Sequence, residues 1–90
     1  MKNSILDDIF IDNLPSLDLH GEFRGSARVL IKEFIEDNYT LKNKKILIIH
    51  GIGTGALKDE LYKELKINKK VKSYHLNHYN SGCTVIYLDI

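Results

Sequence analysis

The stretch Ile46-Leu47-Ile48-Ile49-His50-Gly51-Ile52-Gly53-Thr54-Gly55-Ala56-Leu57 constrains the fold more than any other part of this chain. Four consecutive aliphatic residues suit a strand covered on both faces rather than an edge. The glycines at 51, 53 and 55 let the backbone turn sharply and approach a ligand closely. Thr54 is placed to cap the helix that follows, whose first N–H groups then aim into the loop. Those donors and the positive helix end together make an anion site. A shorter relative, Leu17-Asp18-Leu19-His20-Gly21, precedes it and again runs from aliphatic strand into His-Gly.

Around these two stretches the chain reads as β-α-β-α-β-β. Leu17–His20 forms the first strand, and residues 26–38 a helix with Ala27, Leu30, Ile31, Phe34 and Ile35 at helical spacing. Residues 46–50 form the second strand. A second helix over 55–65 stacks Leu57, Leu61 and Leu65 on one side. Residues 71–76 and 84–90 read as strands joined through Asn80-Ser81-Gly82. Helical crossovers make strands one to three parallel, and the short last connection makes the fourth antiparallel to the third. The expected fold is α/β: a two-layer βαβαββ sandwich, with a four-stranded mixed sheet, two helices on one face and the other face open. If Leu47 and Ile49 pack under the helices, Ile46, Ile48 and His50 face the other way.

Residues 1–16, where Ile5, Leu6, Ile9, Phe10 and Ile11 alternate with Asp7, Asp8 and Asp12, read as an N-terminal arm on a domain spanning 17–90. That arm packs on its own domain or on a partner. Ninety residues allow one modest core. The formal charge of +1 lacks the basic excess of a typical nucleic-acid binder, so any such contact must come from a local cluster. Cys83 is the only cysteine, which excludes an intramolecular disulfide and a multi-cysteine zinc site. With no membrane-length apolar run and no basic-then-apolar leader, the expected location is the cytoplasm.

The topology gives the two histidines a common address. They stand thirty positions apart, one βα repeat, at the C-terminal ends of adjacent parallel strands, where open α/β sheets bind ligands. Asp18 and His20 share a face by alternation, and His50 is expected to join them. A carboxylate beside one imidazole, a second imidazole and a helix N-terminus fit phosphodiester cleavage. One group activates an oxygen nucleophile, another protonates the leaving oxygen, and N–H donors hold the phosphoryl group. On RNA the nucleophile can be the 2′-hydroxyl, which needs no metal.

Blander readings compete. A strand-end histidine is commonly a hydrogen-bonded structural residue. Asp18, His20 and His50 could instead ligate zinc or iron, yet no helix-borne ligand spacing supports it. The sequence therefore assigns no metal ligand and requires no cofactor, and a divalent ion such as Mg2+ stays compatible. Gly51-x-Gly53-x-x-Ala56 matches a dinucleotide fingerprint formally, but the chain is too short for two mononucleotide halves, and no Gly-Lys-Ser/Thr of a P-loop follows. Lys42, Lys44, Lys45, Lys69, Lys70 and Lys72 fall at the sheet edge opposite the histidines. Arg24, Arg28 and Lys58, at the histidine end, are the better phosphate contacts. His75 and His78 read as surface residues of the last hairpin.

Leu17-Asp-Leu-His-Gly21, His50-Gly-Ile-Gly-Thr-Gly55-Ala-Leu-Lys58 and Gly82-Cys-Thr-Val-Ile-Tyr-Leu88 resemble the three motifs of the Smr (small MutS-related) domain family, over about 17–90. The resemblance implies a βαβαββ fold similar to the C-terminal domain of translation initiation factor three. It also implies a nicking or RNA-cleaving endonuclease, here expected as a stand-alone member. It places function on Asp18, His20 and Gly21 and on His50, Gly51, Gly53 and Gly55. Three positions depart from the family pattern: Ile52 where lysine is frequent, Lys58 where arginine is frequent, and Ser26 where an acidic residue is common. Lysine for arginine loses a bidentate clamp on phosphate.

The leading expectation is thus an endonuclease acting on RNA or DNA. In it His20 is general base, Asp18 its orienting partner and His50 general acid or phosphate binder. Gly21, Arg24, Gly51, Gly53, Thr54, Gly55 and Lys58 hold the nucleic acid. The alternative is a non-catalytic module recruiting nucleic acid or a ribosome through the open sheet face; Ile46 and Ile48, which would lie there, and the N-terminal apolar arm motivate it. A small-molecule phosphate-binding protein is a third reading. Either way the chain is expected as a monomer or weak homodimer with no membrane partner.

Overall fold

The computed structural model describes residues 14–90. The expected N-terminal arm, apart from Leu14, Pro15 and Ser16, lies outside the described residues. Within them the elements are β1 (Ser16–Asp18), α1 (Arg24–Thr40), β2 (Lys45–Ile49), α2 (Ala56–Ile67), β3 (Val71–Leu76) and β4 (Cys83–Leu88), in the expected order. Both helices are longer than their apolar spacing indicates, and β1 stops two residues before His20, which lies in a turn.

The sheet order is β1-β2-β4-β3. β1 pairs parallel with β2, and β4 pairs antiparallel with both of its neighbours, so β1, β2 and β3 share a direction. β4 inserts between β2 and β3. Its composition suits the centre: Cys83, Thr84, Val85, Ile86 and Leu88 are all buried, as a strand covered on both faces requires.

Ala27, Ile31 and Ile35 of α1 and Leu61 and Leu65 of α2 form one core cluster with Leu19, Ile46, Ile48, Ile86 and Leu88 of the sheet side. Both helices therefore cover the same face. This reverses the expected orientation of β2: Ile46 and Ile48, each fully buried, point to the helices, while Leu47 and Ile49 point away. An unbroken aliphatic strand has no alternation to report its face. The register decides it, because Leu17 sits beside Ile48, and Ile46 beside Ile86.

The face away from the helices carries a second apolar cluster of Leu47, Cys83 and Val85, against which Leu14, Ile49 and Tyr87 pack. Val85 there is as buried as the main core. The expectation of an open face that presents Ile46 and Ile48 is thereby corrected.

The helices are joined by charge as well as by apolar contact. Arg24 Nη1 donates to Asp59 and Glu60 at 3.1 and 2.9 Å, and Arg28 donates to Glu64 and Glu60 at 3.0 and 3.2 Å. At the start of α1 the N-cap is Phe23, which has no side-chain acceptor to offer; the Ser26 hydroxyl instead accepts the Phe23 N–H at 3.2 Å. Ser26 thus does the backward-reaching half of a capping box, a task usually given to a carboxylate.

Candidate functional site

Beyond β1 the chain turns abruptly. Asp18 Oδ1 accepts the backbone N–H of His20 at 2.9 Å, the Glu22 N–H reaches the Leu19 carbonyl at 3.0 Å, and Gly21 takes φ +82°. This local side-chain-to-backbone bond belongs to the turn geometry that Asp favours. It leaves the His20 side chain exposed at the end of the strand. The Asp18 carboxylate is therefore seen fixing the His20 backbone, not its imidazole. Asp18 also faces away from the helices, on the side of Cys83, whose thiol is pushed up first by burial and then by the Asp18 charge.

His50 is built differently. Its N–H and that of Gly51 both donate to the Gly82 carbonyl at 2.9 Å, tying the end of β2 to the start of β4. The side chain points to the helix side and is 5% exposed. Nδ1 lies 2.8 Å from the Gly51 carbonyl and Nε2 lies 2.9 Å from Thr84 Oγ1; Thr84 Oγ1 lies in turn 3.0 Å from Tyr62 Oη. A carbonyl only accepts, so Nδ1 carries a proton. In the neutral ring Nε2 then accepts from the Thr84 hydroxyl, which accepts from Tyr62. Both nitrogens are committed inside the protein. The structural role commonly played by a strand-end histidine is realised at His50, and Asp18 and His50 stand on opposite sides of the sheet rather than sharing a face.

Burial is the main force pushing the His50 pKa below the ordinary imidazole value; the Gly51 carbonyl opposes it, and the nearby Lys58 ammonium adds to it. The unfolded chain consequently binds the proton more readily than the native one. Stability conferred by neutral His50 is present above the unfolded imidazole value and is lost as pH falls. Urea unfolding at stepped pH should show stability falling from about pH 6.5 downward, a loss that a folded His50→Asn variant should lack over the same window. Equal slopes in the two proteins would remove His50 as the cause.

The glycine loop leads into α2 with Gly55 as N-cap at φ +82°, a left-handed conformation that favours glycine. Thr54, expected to be the cap, sits one residue too early; its hydroxyl accepts the Ala56 N–H at 3.3 Å from outside the helix. Lys58 lies on the first turn of α2, with its ammonium 5.6 Å from the centre of the Tyr62 ring. Arg24 and Arg28, expected at phosphate, are engaged by the acidic row of α2 described above. Hydrogen bonding to Asp59 and Glu60 holds the Arg24 guanidinium even further above its ordinary value.

A cleft of about 270 Å³ opens between these elements, lined by His20, Gly21, His50 and residues 51–57. The topology thus brings His20, Gly21, Gly51, Gly53, Thr54 and Gly55 together, with Lys58 one position beyond the lining. Asp18 and Arg24 are not part of the wall. Among the described residues no group of three or more His, Cys, Asp and Glu side chains is placed to hold a metal ion. The alternative ligand set of Asp18, His20 and His50 is split by the sheet. No helix among the described residues is long and apolar enough to cross a membrane.

Three residues of this region escaped the reading of the sequence. Gly82 was read as a turn residue and the start of a motif, not as part of the site; a Cβ there would come within 3.4 Å of Gly51 Cα and 3.2 Å of Asn80 Oδ1. Thr84 looked like an ordinary strand residue. Tyr62, on a helix, carried no local signal for its place behind His50, since Thr84 and Tyr74 stand twenty-two and twelve positions away in the chain.

The Smr domain family model matches residues 17–89. The chain is similar to MutS2 endonucleases. It is 38% identical over 68 residues to that of Caldanaerobacter subterraneus, covering 76% of this chain and 9% of the relative. To that of Ligilactobacillus salivarius it is 38% identical over 76 residues, covering 81% and 10%. The chain thus spans about a tenth of the length of these relatives. Among solved structures, the Smr domain of Thermus thermophilus MutS2 superposes with a TM-score of 0.83 at 26% identity, covering 86% of this chain and all of that one. YdaL, a stand-alone small MutS-related protein from Escherichia coli, superposes with a TM-score of 0.78 at 20% identity over all of this chain and 78% of its own, a likeness of fold.

Proposed function

This chain belongs to the Smr domain family, and from that premise we propose that it is an endonuclease that cuts a phosphodiester of RNA or DNA laid across the cleft. The observation that carries the reading is that an exposed histidine, His20, shares one cleft with a glycine loop and the N-terminus of α2. The relatives' description as endonucleases supports it.

In this reading His20 takes the proton from the attacking oxygen, a water or an RNA 2′-hydroxyl, as the P–O bond to the departing oxygen breaks, and that oxygen takes its proton from solvent. The N–H groups of the loop and of the first turn of α2 receive the charge that gathers on the phosphoryl oxygens. Lys58 adds a point charge at the same end. His50 keeps its proton on Nδ1 and shapes the loop through Gly51, so the role of general acid or phosphate binder read for it from the sequence gives way to a supporting one. Asp18 places His20 by holding its backbone N–H. No step in this reading is assigned to a divalent ion.

The cleft is slightly smaller than the roughly 300 Å³ at which small-molecule sites begin. The relatives' description as endonucleases is what favours the nuclease over a small-molecule phosphate-binding protein. The binding-module alternative loses one of its two motivations, because Ile46 and Ile48 are buried under the helices; the other, the N-terminal apolar arm, lies outside the described residues.

The test is incubation of the purified protein with end-labelled single-stranded RNA, single-stranded DNA and supercoiled plasmid, each with and without EDTA. Cutting of at least one substrate is expected. The substrate arms separate RNA from DNA, and the EDTA arms report whether an added divalent ion is needed. Retarded but uncut nucleic acid would replace the nuclease by the binding module.

A further inference from the structure

Tyr62 touches two of the parts assembled above, and it does so with different chemistry. Its hydroxyl, 3.0 Å from Thr84 Oγ1, heads the hydrogen-bond chain that ends on the Gly51 carbonyl through His50. Its ring lies under the Lys58 ammonium, which stands 5.6 Å from the ring centre one helical turn earlier. The ring is itself held edge-on by Tyr74 of β3, 5.2 Å away at 81°. Tyr62 is thus anchored from the sheet, and it meets the loop on one side and the first-turn cation on the other.

We propose that Tyr62 is a positioning residue of the cleft, which holds the His50 ring in place through Thr84 and seats the Lys58 ammonium at the anion-binding end of α2. The substrate side of this proposal rests on the nuclease reading; the imidazole side does not. The physical logic is that of a support shell. A histidine with two hydrogen-bonding nitrogens has two neutral tautomers, and only the Nδ1–H form can hold the Gly51 carbonyl. With that form set by the carbonyl, the Thr84 hydroxyl donates to the buried Nε2 lone pair, and the Tyr62 hydroxyl donates in turn to Thr84 and aligns it. Lysine, with four rotatable bonds, loses entropy when it meets a phosphate; a ring that already restrains it removes part of that cost. The groups facing His50 are Thr84, the Gly51 carbonyl and the Lys58 charge, so no acidic side chain needs to be invoked.

The test uses the full chain labelled with 15N, and it separates hydroxyl from ring. Long-range proton–nitrogen spectra of the imidazoles should show His50 as a single neutral Nδ1–H tautomer with Nε2 shifted upfield by its hydrogen bond. Thr84→Val should move the Nε2 resonance downfield toward that of a ring nitrogen without a donor, and Thr84→Ser should restore it. The resonance should move part of the way in Tyr62→Phe, which keeps the ring. In it Lys58→Ala should weaken binding of single-stranded RNA by the same factor as in the native background, about three- to tenfold. In Tyr62→Leu, which removes the ring, Lys58→Ala should have lost most of that effect, a coupling that independent sites would not show. An Nε2 resonance unmoved in both Thr84→Val and Tyr62→Phe would overturn the hydroxyl half. An undiminished Lys58→Ala effect in folded Tyr62→Leu would overturn the ring half, and if that variant does not fold, Tyr62→Met takes its place. Native protein that binds no nucleic acid would sink the nuclease reading and the ring half that rests on it, while the Nε2 resonance would still decide the role of the Tyr62 hydroxyl.

Discussion

Replacing His20 by alanine abolishes phosphodiester cleavage while leaving the domain folded: that is the expected result with the largest effect on activity. Positioned proton transfer contributes about 10²- to 10⁴-fold in typical enzymes, so cleavage should fall by at least two orders of magnitude. Stability should stay within about 1 kcal/mol of the native value, because an exposed side chain leaves no cavity and no orphaned partner behind. The bond in this turn that does matter to folding runs from Asp18 to the His20 backbone N–H, and alanine retains that N–H. The measurement is single-turnover cleavage of whichever substrate the native protein cuts, beside a urea unfolding curve. Undiminished cutting by a folded His20→Ala protein would move the chemistry elsewhere in the cleft.

The largest effect on stability is expected from Ile48→Ala. Ile48 is fully buried in the cluster that joins both helices to the sheet, flanked by Leu17 on β1 and Thr84 on β4. Cutting a buried isoleucine back to alanine costs about 2–5 kcal/mol, from lost transfer energy and from the cavity left behind. For a domain of this size the whole stability is about 5–10 kcal/mol, so the midpoint of urea unfolding should drop steeply. Ile52→Ala makes the matched control: that isoleucine is 71% exposed on the glycine loop and should change stability by less than about 0.5 kcal/mol. The same pair separates two models of the surface. A protein that recruited partners through Ile48 on an open face would tolerate Ile48→Ala structurally and lose binding instead.

Why the sequence misplaced Ile48 is instructive. Element type and order were legible because they rest on local patterns: helical spacing from Ala27 to Ile35, leucines four apart on α2, and turn residues before β4. The direction of three strands followed from the length of their connections. The face of β2 did not, since Lys45-Ile-Leu-Ile-Ile49 has nothing polar inside it to mark an outside. For the same reason the second apolar cluster, Leu47 with Val85 and Cys83, was not anticipated. It exists only because β4 is threaded between β2 and β3 and must be covered on both faces.

The candidate site divides along the same line. His20, Gly21 and the glycine loop were identified as one site from two His-Gly strand ends, and the cleft brings them together. The partners of each side chain were not legible. Asp18 was read as partner to an imidazole and holds a backbone N–H instead. Arg24 was read as a phosphate contact, but the packing of α1 on α2 sets it against Asp59 and Glu60. His50 was read as a second catalytic histidine, and it is buried with both nitrogens engaged.

By itself, then, the sequence determined what is written in short-range pattern: the elements and their order, the parallel βα repeats, and the sheet end where two His-Gly motifs converge. Tertiary structure alone decided which face of β2 is core, that β4 runs through the centre of the sheet, and that Tyr62 and Thr84 stand behind His50. The physical reason is range. Periodicity and turn chemistry act over a few residues and leave a mark in the string. The burial of His50, its proton position and its hydrogen-bond partners are set by groups from other elements, and these meet only once the chain has folded.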